Sequence, residues 1–295
     1  LGLSGLKGEW GDFDNDADND LLTVASNGYE IKIYRRSSAL YSELYGNTFL
    51  PCEGVVKWID YNNDGRQDIF ATGKNPLDGK ENSSLYKNEG GGKFSRQTQI
   101  SLPALKDASV CIADINSDGR IDILLAGNKT DNTGTVILCT NVDGNSFTSA
   151  TIAGFYSCNN NQATAVVDIN NDGLNDIIAS ASNNETDGIV KIFINNGNGT
   201  FSEIFSQIIA GSSAGLGLFD VNNDGNIDIV EKWSLVLQNT VTASNAFPGK
   251  ITSATAVPEG NGVRFNWTGT DDKTPAAGLT YELRIGTTPR SEERR

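Results

Sequence analysis

Histidine and methionine are both absent from the 295 residues of this chain. Without histidine, the sequence cannot form a Ser-His-Asp site, a Cys-His site or a histidine-ligated zinc site. Any bound metal must therefore be held by oxygen ligands, which favours a hard cation. Long apolar runs are missing as well. None approaches the roughly 18 residues needed to cross a bilayer, so we expect no membrane insertion in this segment.

Basic side chains are few, since 23 lysines and arginines stand against 37 aspartates and glutamates, for a formal net charge of −14. A nucleic-acid partner is disfavoured because a phosphate backbone requires a basic footprint. Electrostatic docking on an anionic membrane is disfavoured for the same reason. Apolar residues still make up 38% of the chain, which is enough for a core. The length allows one large all-β domain or two ordinary domains.

Cysteine is also sparse, with four residues at Cys52, Cys111, Cys139 and Cys158. Four cysteines allow three disulfide pairings, and the sequence does not choose among them. None has CxxC spacing, which argues against zinc and thioredoxin-like sites. The favoured interpretation is buried free thiols in strands. The alternative is one disulfide formed in an oxidising compartment.

What the sequence does contain is an internal repeat. Five nine-residue segments share the pattern D-x-[DN]-x-D-[GA]-x-x-D, and their starts are 48 to 54 residues apart. We call them loops 1 to 5 and number their residues from position 1 to position 9. They span residues 12–20, 60–68, 114–122, 168–176 and 220–228. Five copies at nearly constant spacing indicate a repeat architecture with one acidic loop in each unit.

The residue types in these loops suit a calcium ion. Side-chain oxygens at positions 1, 3, 5 and 9, with a main-chain carbonyl at position 7, can wrap a cation that takes six to eight oxygens at about 2.3–2.6 Å. Magnesium prefers a stricter octahedron with several waters, so the loops favour calcium, one ion per repeat and up to five in all. The candidate ligands, with the position-7 residue contributing its carbonyl, are Asp12, Asp14, Asp16, Asp18 and Asp20 in loop 1; Asp60, Asn62, Asp64, Arg66 and Asp68 in loop 2; Asp114, Asn116, Asp118, Arg120 and Asp122 in loop 3; Asp168, Asn170, Asp172, Leu174 and Asp176 in loop 4; and Asp220, Asn222, Asp224, Asn226 and Asp228 in loop 5.

Position 6 is glycine in loops 2 to 5, which permits a sharp turn at positive φ. Loop 1 has Ala17 there, and an alanine at positive φ costs on the order of 1 kcal/mol. Asp14 replaces the asparagine at position 3 of the same loop and adds a charge. We therefore expect loop 1 to differ from the other loops in cation affinity.

An EF-hand is disfavoured by what surrounds the loops. Its loop ends in a glutamate at position 12 and leads into a helix, whereas only Glu231 here occupies the equivalent place. Short β-branched and apolar runs flank the loops instead, as in residues 110–113 before loop 3 and 123–126 after it. These runs are typical of buried strands, so each loop is predicted to form the turn of a β-hairpin.

A third strand is predicted after each hairpin, as in residues 190–195, and is often followed by a glycine-rich turn, a phenylalanine and a fourth strand, as in residues 197–209. Four strands in about 52 residues is typical of a propeller blade. The sequence therefore predicts an all-β chain built as a β-propeller of four-stranded blades, with five loop-bearing repeats visible.

The five loops and the Asn…Gly-x-Gly-x-Phe element resemble the FG-GAP/VCBS repeats of bacterial secreted and surface proteins, and integrin α-chain propellers carry a similar calcium loop. The resemblance covers about residues 1–245. It implies a calcium ion in one turn of each blade and, usually, seven blades. Five motifs fall short of seven, which leaves blades lost at the N-terminus, degenerate blades, or closure with fewer. We expect lost sequence.

Residues 249–295 differ from the repeats and resemble the first three strands of a fibronectin type III domain. The resemblance implies that Trp267 is the core tryptophan and that Tyr281 starts the third strand. Such domains need about 90–100 residues. The segment is therefore expected to be a truncated β-sandwich that follows the propeller, after a linker near residues 243–248.

These features favour a calcium-stabilised, secreted or cell-surface binding or adhesion module that recognises a glycan or a cell-surface or matrix protein, as a monomer. Calcium loops of this type commonly have Kd values of about 10⁻⁴–10⁻³ M, typical of extracellular modules. The alternative is a propeller-based polysaccharide lyase or another carbohydrate-active enzyme. No local motif marks a catalytic base, so we assign no catalytic residue and expect no enzyme.

The longer connections on the face opposite the acidic loops form the expected recognition surface. The tyrosines predicted as candidates for stacking on a sugar are Tyr29, Tyr41, Tyr45 and Tyr156. Trp10 and Trp58 lie two residues before their loops, where other copies have aliphatic residues. Both tryptophans are therefore predicted to belong to the core.

Overall fold

A computed structural model describes residues 6–25, 29–37, 40–155, 163–182, 187–210, 216–231, 235–241, 253–259 and 262–268. Within these ranges the chain forms β-strands, turns and irregular connections. The same ranges contain no helix that is long and apolar enough to cross a membrane.

Four antiparallel sheets of four strands each follow one another along the chain, and in every sheet the strands pair in chain order. The strands are β1 (Leu6–Gly11), β2 (Asp20–Ala25), β3 (Ile31–Ser37), β4 (Leu40–Glu43); β5 (Glu53–Ile59), β6 (Asp68–Lys74), β7 (Glu81–Gly90), β8 (Lys93–Arg96); β9 (Lys106–Ala113), β10 (Asp122–Asn128), β11 (Gly134–Asn141), β12 (Phe147–Phe155); β13 (Ala163–Val167), β14 (Asp176–Ser182), β15 (Asp187–Asn195) and β16 (Phe201–Ala210). We call these sheets blades 1 to 4.

The fifth sheet, blade 5, has three strands in the described part of the chain. They are β17 (Leu216–Phe219), β18 (Asp228–Glu231) and β19 (Leu235–Leu237). A separate hairpin of β20 (Ser253–Glu259) and β21 (Gly262–Thr268) follows.

The second strand of each blade is the most buried. All seven residues of β10 are buried, and only Lys74 at the end of β6 is exposed. These strands read as continuous apolar runs because they are paired on both edges and covered on both faces by neighbouring blades. β-Branched and aromatic residues suit such a position.

The blades are arranged around an axis. The first strands of consecutive blades contact each other, from β1 to β5, then β9, β13 and β17. A separate apolar core fills each space between consecutive blades. Radially packed antiparallel meanders of this kind form a β-propeller, which confirms the predicted fold class. The predicted total of seven blades stays a prediction.

The prediction for the two tryptophans is half right. Trp58 is 7% exposed and stacks on Phe13 of blade 1, with ring centroids 5.9 Å apart and planes 9° apart. Trp10, the equivalent residue of blade 1, is 56% exposed, so its assignment to the core is wrong. Trp58 is buried because blade 1 precedes its own blade. No described sheet precedes blade 1, and Trp10 instead meets Tyr41 edge-on at 5.7 Å.

Cys52, Cys111 and Cys139 are free thiols. The prediction of a buried thiol in a strand is confirmed for Cys139 in β11, whereas Cys111 in β9 is half-buried and the buried Cys52 lies just before β5. Burial raises the pKa of Cys52 to about 12 and that of Cys139 to about 11. The Cys111 thiol donates to the Thr164 carbonyl at 3.0 Å. Cys158 lies outside the described residues.

The second segment is described only at its first hairpin, which pairs from Ser253 with Thr268 to Glu259 with Gly262. Trp267 is 37% exposed there, unlike the core tryptophan that the resemblance implies. A two-stranded sheet offers no second layer in which to bury an indole. Tyr281 lies outside the described residues, and the domain limits at residues 245 and 249 stay predictions.

Candidate metal-binding loops

Each acidic loop joins the first strand of a blade to its second, as the sequence predicts. All five loops therefore lie at the same end of the propeller. Neighbouring loops also touch, because Asn63 donates its side-chain amide to the Gly119 carbonyl at 2.8 Å. Asn15 and Gly65 make the same contact one blade earlier, at 3.2 Å. The loops thus form one continuous row.

Two residues of every loop adopt left-handed backbone conformations. Position 6 was expected to do so, and φ ranges there from 68° at Ala17 to 89° at Gly225. Position 4 also does so, which the sequence analysis missed. Its φ values lie between 55° and 60° and belong to Asn15, Asn63, Ser117, Asn171 and Asn223. Asparagine tolerates this conformation best among residues with a side chain, which explains its prevalence at position 4.

The position-1 aspartate closes the turn with both oxygens. In loop 3, Asp114 Oδ1 accepts the main-chain N–H of Asp118 at 3.0 Å, and Oδ2 accepts that of Gly119 at 2.8 Å. The same pair of bonds recurs in the other four loops. The carboxylate is thereby fixed with its oxygens inside the loop.

Positions 3 and 5 are bonded to each other in loops 2 to 5. In loop 3, Asn116 Oδ1 accepts the Asp118 N–H at 3.1 Å, and Asn116 Nδ2 donates to Asp118 Oδ2 at 2.9 Å. Asp118 Oδ1 accepts the N–H of Arg120 at 2.9 Å. Loops 2, 4 and 5 repeat these contacts. The carbonyl ligands predicted at position 7 stay predictions.

The position-9 aspartates are the most buried carboxylates of the loops. Each is 0% exposed, and they are Asp20, Asp68, Asp122, Asp176 and Asp228. Oδ1 accepts a main-chain N–H from the third strand of the same blade, except in blade 5, where the donor Asn239 follows that strand. Oδ2 accepts the N–H of position 2 in loops 1, 3, 4 and 5.

Loop 2 departs from this pattern, because Asp68 Oδ2 accepts no hydrogen bond of normal geometry from the described residues. Desolvation raises the pKa of Asp68 to about 7, and the nearby carboxylates of Asp64 and Asp60 raise it further, against the main-chain N–H groups of Asn88 and Tyr61. Desolvation also raises the pKa of Asp122 and of Asp176 to about 6. A buried carboxylate with an unpartnered oxygen is costly to ionise unless a positive charge is bound beside it.

Loop 1 brings three predicted ligands together. One carboxylate oxygen each from Asp12, Asp14 and Asp20 lies within 4.8 Å of the others. The Asp16 carboxylate is outside this group. In loops 2 to 5 position 3 is asparagine, so a matching group there uses an amide oxygen. Three or four such oxygens fit a hard cation rather than a soft metal that prefers thiolate ligands.

A conserved geometry that the sequence analysis missed links each loop to the next blade. The asparagine after the third-strand core, Asn195 in blade 4, donates Nδ2 to the Ile115 carbonyl of loop 3 at 2.9 Å and to the Asn175 carbonyl of its own loop at 3.1 Å. The same two bonds are made by Asn88, Asn141 and Asn239. Blade 1 has Arg36 at this place, where its main-chain N–H donates to Asp20 Oδ1 at 2.8 Å and its Nη1 lies 3.4 Å from Asp18 Oδ1. The recurring asparagine was the available signal.

The predicted sugar-stacking tyrosines occupy different environments. Tyr45 is 78% exposed, whereas Tyr41 packs on Trp10 and its hydroxyl donates to the Asn19 carbonyl at 3.5 Å. Tyr29 is half-buried with φ of 53°. Tyr156 lies outside the described residues. Tyr45 is thus the candidate that the structure leaves most open to a ligand.

Comparison with known proteins matches the repeats. A family model described as "FG-GAP-like repeat" matches residues 60–125, 114–179 and 168–231, which together exceed half of the chain. Each match begins at position 1 of one loop and ends beyond the next loop. No curated protein matches the chain. A solved structure titled "NanB plus Optactamide" has 13% sequence identity to this chain and a TM-score of 0.42. The match covers 80% of this chain and 40% of that chain. The present chain thus spans less than half the length of that one.

Proposed function

Because the chain belongs to the FG-GAP-like repeat family, we propose that it is a calcium-stabilised, non-catalytic binding module of a secreted or cell-surface protein. FG-GAP repeats are found in adhesion and binding modules and are typical of extracellular proteins. The proposal has two parts, the cation in the loops and the ligand on the opposite face. They are supported by different residues and are tested separately.

The observation that carries the calcium part is the state of Asp68. Its side chain is 0% exposed, and its Oδ2 atom accepts no hydrogen bond of normal geometry from the described residues, although the Tyr61 N–H lowers its pKa. Position 1 and position 5 of the same loop add two more carboxylates nearby. Ionisation of the buried Asp68 is costly, and a bound cation would offset that cost. Main-chain and carboxylate oxygens are the ligands that calcium prefers.

Hydrogen bonds within the chain already orient the carboxylates of loop 2. Position 1 is fixed by the N–H groups of positions 5 and 6, and position 9 by the third-strand N–H. Their oxygens therefore need little rearrangement to meet an ion. Bound calcium supplies positive charge and up to eight coordination positions, which neutralises the buried carboxylate. The expected role of the ion is to fix each hairpin turn.

The ligand part rests on the face opposite the loops. The connection 75–80 lies there, between β6 and β7, whereas the connection 44–52 leads from blade 1 to blade 2 and reaches the β7–β8 turn, where Asn47 donates Nδ2 to the Gly92 carbonyl at 2.9 Å. Each connection presents an exposed apolar side chain. Tyr45 is 78% exposed and Leu77 is 81% exposed. Exposed aromatic and aliphatic side chains on variable connections suit recognition of a glycan or a protein surface. The chain is expected to act as a monomer.

Counting bound calcium and comparing thermal melts in excess calcium and in EDTA tests the first part. A site filled to 100 times its Kd adds about 2.7 kcal/mol, so several sites give a large shift in melting temperature. Up to five ions with a clear shift support the proposal. A melt that is identical in calcium and EDTA overturns it, and the loops are then hairpin turns alone.

Screening the calcium-loaded chain against glycans and matrix proteins tests the second part. A Tyr45→Ala variant should lose binding while keeping its calcium-dependent melt. Incubation with uronic-acid polymers, followed by absorbance of unsaturated product, tests the alternative of a lyase. Product formation would show that the chain is an enzyme and would overturn the non-catalytic assignment.

A further inference from the structure

An arginine side chain lies against the acidic groups of loops 2 and 3. Arg66 at position 7 places Nη2 3.0 Å from Asp64 Oδ2, and its Nε donates to the Asn88 carbonyl at 3.1 Å. In loop 3, Arg120 contacts Asp118 Oδ2 in the same way, and its Nε donates to the Asn141 carbonyl at 3.0 Å. Both guanidinium groups are therefore held in place by the third strand.

Loop 2 carries a second positive charge. Lys87 Nζ lies 3.8 Å from Asp64 Oδ2, the same atom that Arg66 contacts. Thr140 occupies the equivalent place in blade 3, one residue before the recurring asparagine. Loop 2 thus has more built-in positive charge than loop 3.

Loops 4 and 5 have no such charge. Position 7 is Leu174 in loop 4 and Asn226 in loop 5. None of the ion pairs in the described part of the chain reaches a carboxylate of either loop. Their position-5 carboxylates, Asp172 and Asp224, accept the neutral amides of position 3, both at 2.9 Å, as in loops 2 and 3, but have no ion pair among the described residues.

Loops 2 to 5 are otherwise the same at the predicted side-chain ligands. Each has aspartate at positions 1, 5 and 9 and asparagine at position 3. The turn hydrogen bonds of positions 1, 3 and 5 are also the same in all four. The side chain at position 7 is therefore the main difference in charge, and the four loops form two matched pairs. Loop 1 is set apart by its five aspartates and Ala17, and by Arg35 and Arg36 of β3, whose guanidinium groups pair with its carboxylates.

We infer that the positive side chains held against the position-5 carboxylate set cation affinity, so that loops 4 and 5, which have none, bind calcium more tightly than loop 3, which has Arg120, and loop 3 more tightly than loop 2, which has Arg66 and Lys87. The inference rests on the proposed calcium function. A fixed guanidinium beside a ligand carboxylate repels the ion and occupies an oxygen that the ion would use. It also compensates the carboxylate when calcium is absent. Solvent and salt screen the repulsion, which limits the effect to about tenfold per charge.

Calcium titration of the full chain by calorimetry tests the inference. Replacement of Arg120 by Leu, the residue of loop 4, should tighten one site about tenfold, and Leu174→Arg should weaken one site about tenfold. Arg96→Leu is the control, because Arg96 lies in β8 and its Nε donates to Ser84 Oγ at 3.1 Å, away from the loops. Its isotherm should match that of the original chain.

Melting in EDTA provides a second readout. Arg120→Leu should melt lower in EDTA, because Asp118 loses its counter-charge, and should gain more on addition of calcium. Leu174→Arg tests the same idea without removing a side-chain hydrogen bond or an ion pair, so a poorly folded Arg120 variant does not decide the matter.

The outcomes separate the inference from the calcium proposal. Sites of equal affinity that stay within twofold in both variants would overturn the inference and leave the calcium proposal standing. Absence of calcium binding in the original chain would overturn both. Variation that follows net charge alone, with Arg96→Leu behaving like Arg120→Leu, would also overturn the inference.

Discussion

The side-chain amide of Asn195 donates to the main-chain carbonyl of Ile115 at 2.9 Å, across 80 residues of sequence. Ile115 is position 2 of loop 3, and its N–H donates to the buried Asp122 of the same loop at 3.0 Å. The Asn195 N–H donates in turn to Asp176 of loop 4 at 2.8 Å. One asparagine thus connects the buried acids of two neighbouring loops through hydrogen bonds.

This connection predicts that Asn195→Ala is strongly destabilising. The change removes two donors to buried carbonyls and the acceptor for the Gly197 N–H, which lies 3.0 Å from Asn195 Oδ1. Each unsatisfied buried group costs about 1–3 kcal/mol, so we expect a loss of about 3 kcal/mol in urea unfolding. Asn145→Ala, an exposed asparagine, is the control and should cost under about 0.5 kcal/mol. Equal losses in the two variants would contradict the connection.

Ala17→Gly is predicted to stabilise the chain. Ala17 has φ of 68°, a conformation that an alanine adopts only at a cost. Glycine removes that cost, and we expect a gain of about 0.5–1 kcal/mol in the free energy of unfolding. The reverse change, Gly65→Ala at φ of 79°, should lose a similar amount, because an added Cβ there meets no atom within 4 Å and only the backbone is strained. Thermal melts of both variants in EDTA check the opposite signs.

The fold and the acidic loops were largely predictable because their signals are local. Continuous apolar runs such as residues 123–126 identify the second strands, and the spacing of aspartates identifies the turns between them. Position 6 was predicted because glycine at that place has one common explanation. Position 9 belongs to the same nine-residue pattern, although the sequence did not predict its complete burial.

The remaining features depend on neighbours that are distant in the sequence. Asn195 meets Ile115 only because blade 4 packs beside blade 3, and no local pattern gives that partner. Trp10 and Trp58 occupy the same place in their repeats, yet only Trp58 has a described blade before it to cover the indole. Burial in a propeller is thus decided by the order of blades as well as by the repeat.

The three described cysteines are predicted to be unreactive in the folded chain. Burial raises the pKa of Cys52, Cys111 and Cys139, and Cys52 and Cys139 are at most 1% exposed. A Cys158→Ser variant should therefore release little colour with a thiol reagent at pH 8, and three equivalents after guanidinium is added. A reducing agent should leave the melting temperature unchanged. Rapid labelling of the folded variant would contradict the buried positions.

The last prediction contrasts two buried acids, Asp68 and Asp122. Asp68 Oδ2 accepts no hydrogen bond of normal geometry from the described residues, and burial raises the pKa of Asp68 to about 7. Asp122 instead accepts the N–H groups of Ile115 and Asn141 at 3.0 and 2.8 Å, and its pKa is raised to about 6. An amide replaces Asp68 without losing a bond, because its oxygen still accepts the Asn88 N–H. An asparagine in place of Asp122 would face one of the two donating main-chain N–H groups with its own NH2 group, which also donates.

Asp68→Asn should therefore stabilise the calcium-free chain, and Asp122→Asn should destabilise it. Since the folded pKa of Asp68 lies above the unfolded value of 3.8, its contribution to stability is complete below about pH 4 and is lost as the pH rises through 7. The gain from Asp68→Asn should reach the order of 3 kcal/mol at pH 8 and fall toward zero near pH 4. At pH 8 in calcium, the original chain should be more stable than Asp68→Asn, because only the original chain has the carboxylate that binds the ion. Urea unfolding of both variants in EDTA and in calcium measures each difference. A loss of stability for Asp68→Asn in EDTA would show that its Oδ2 atom is satisfied in solution.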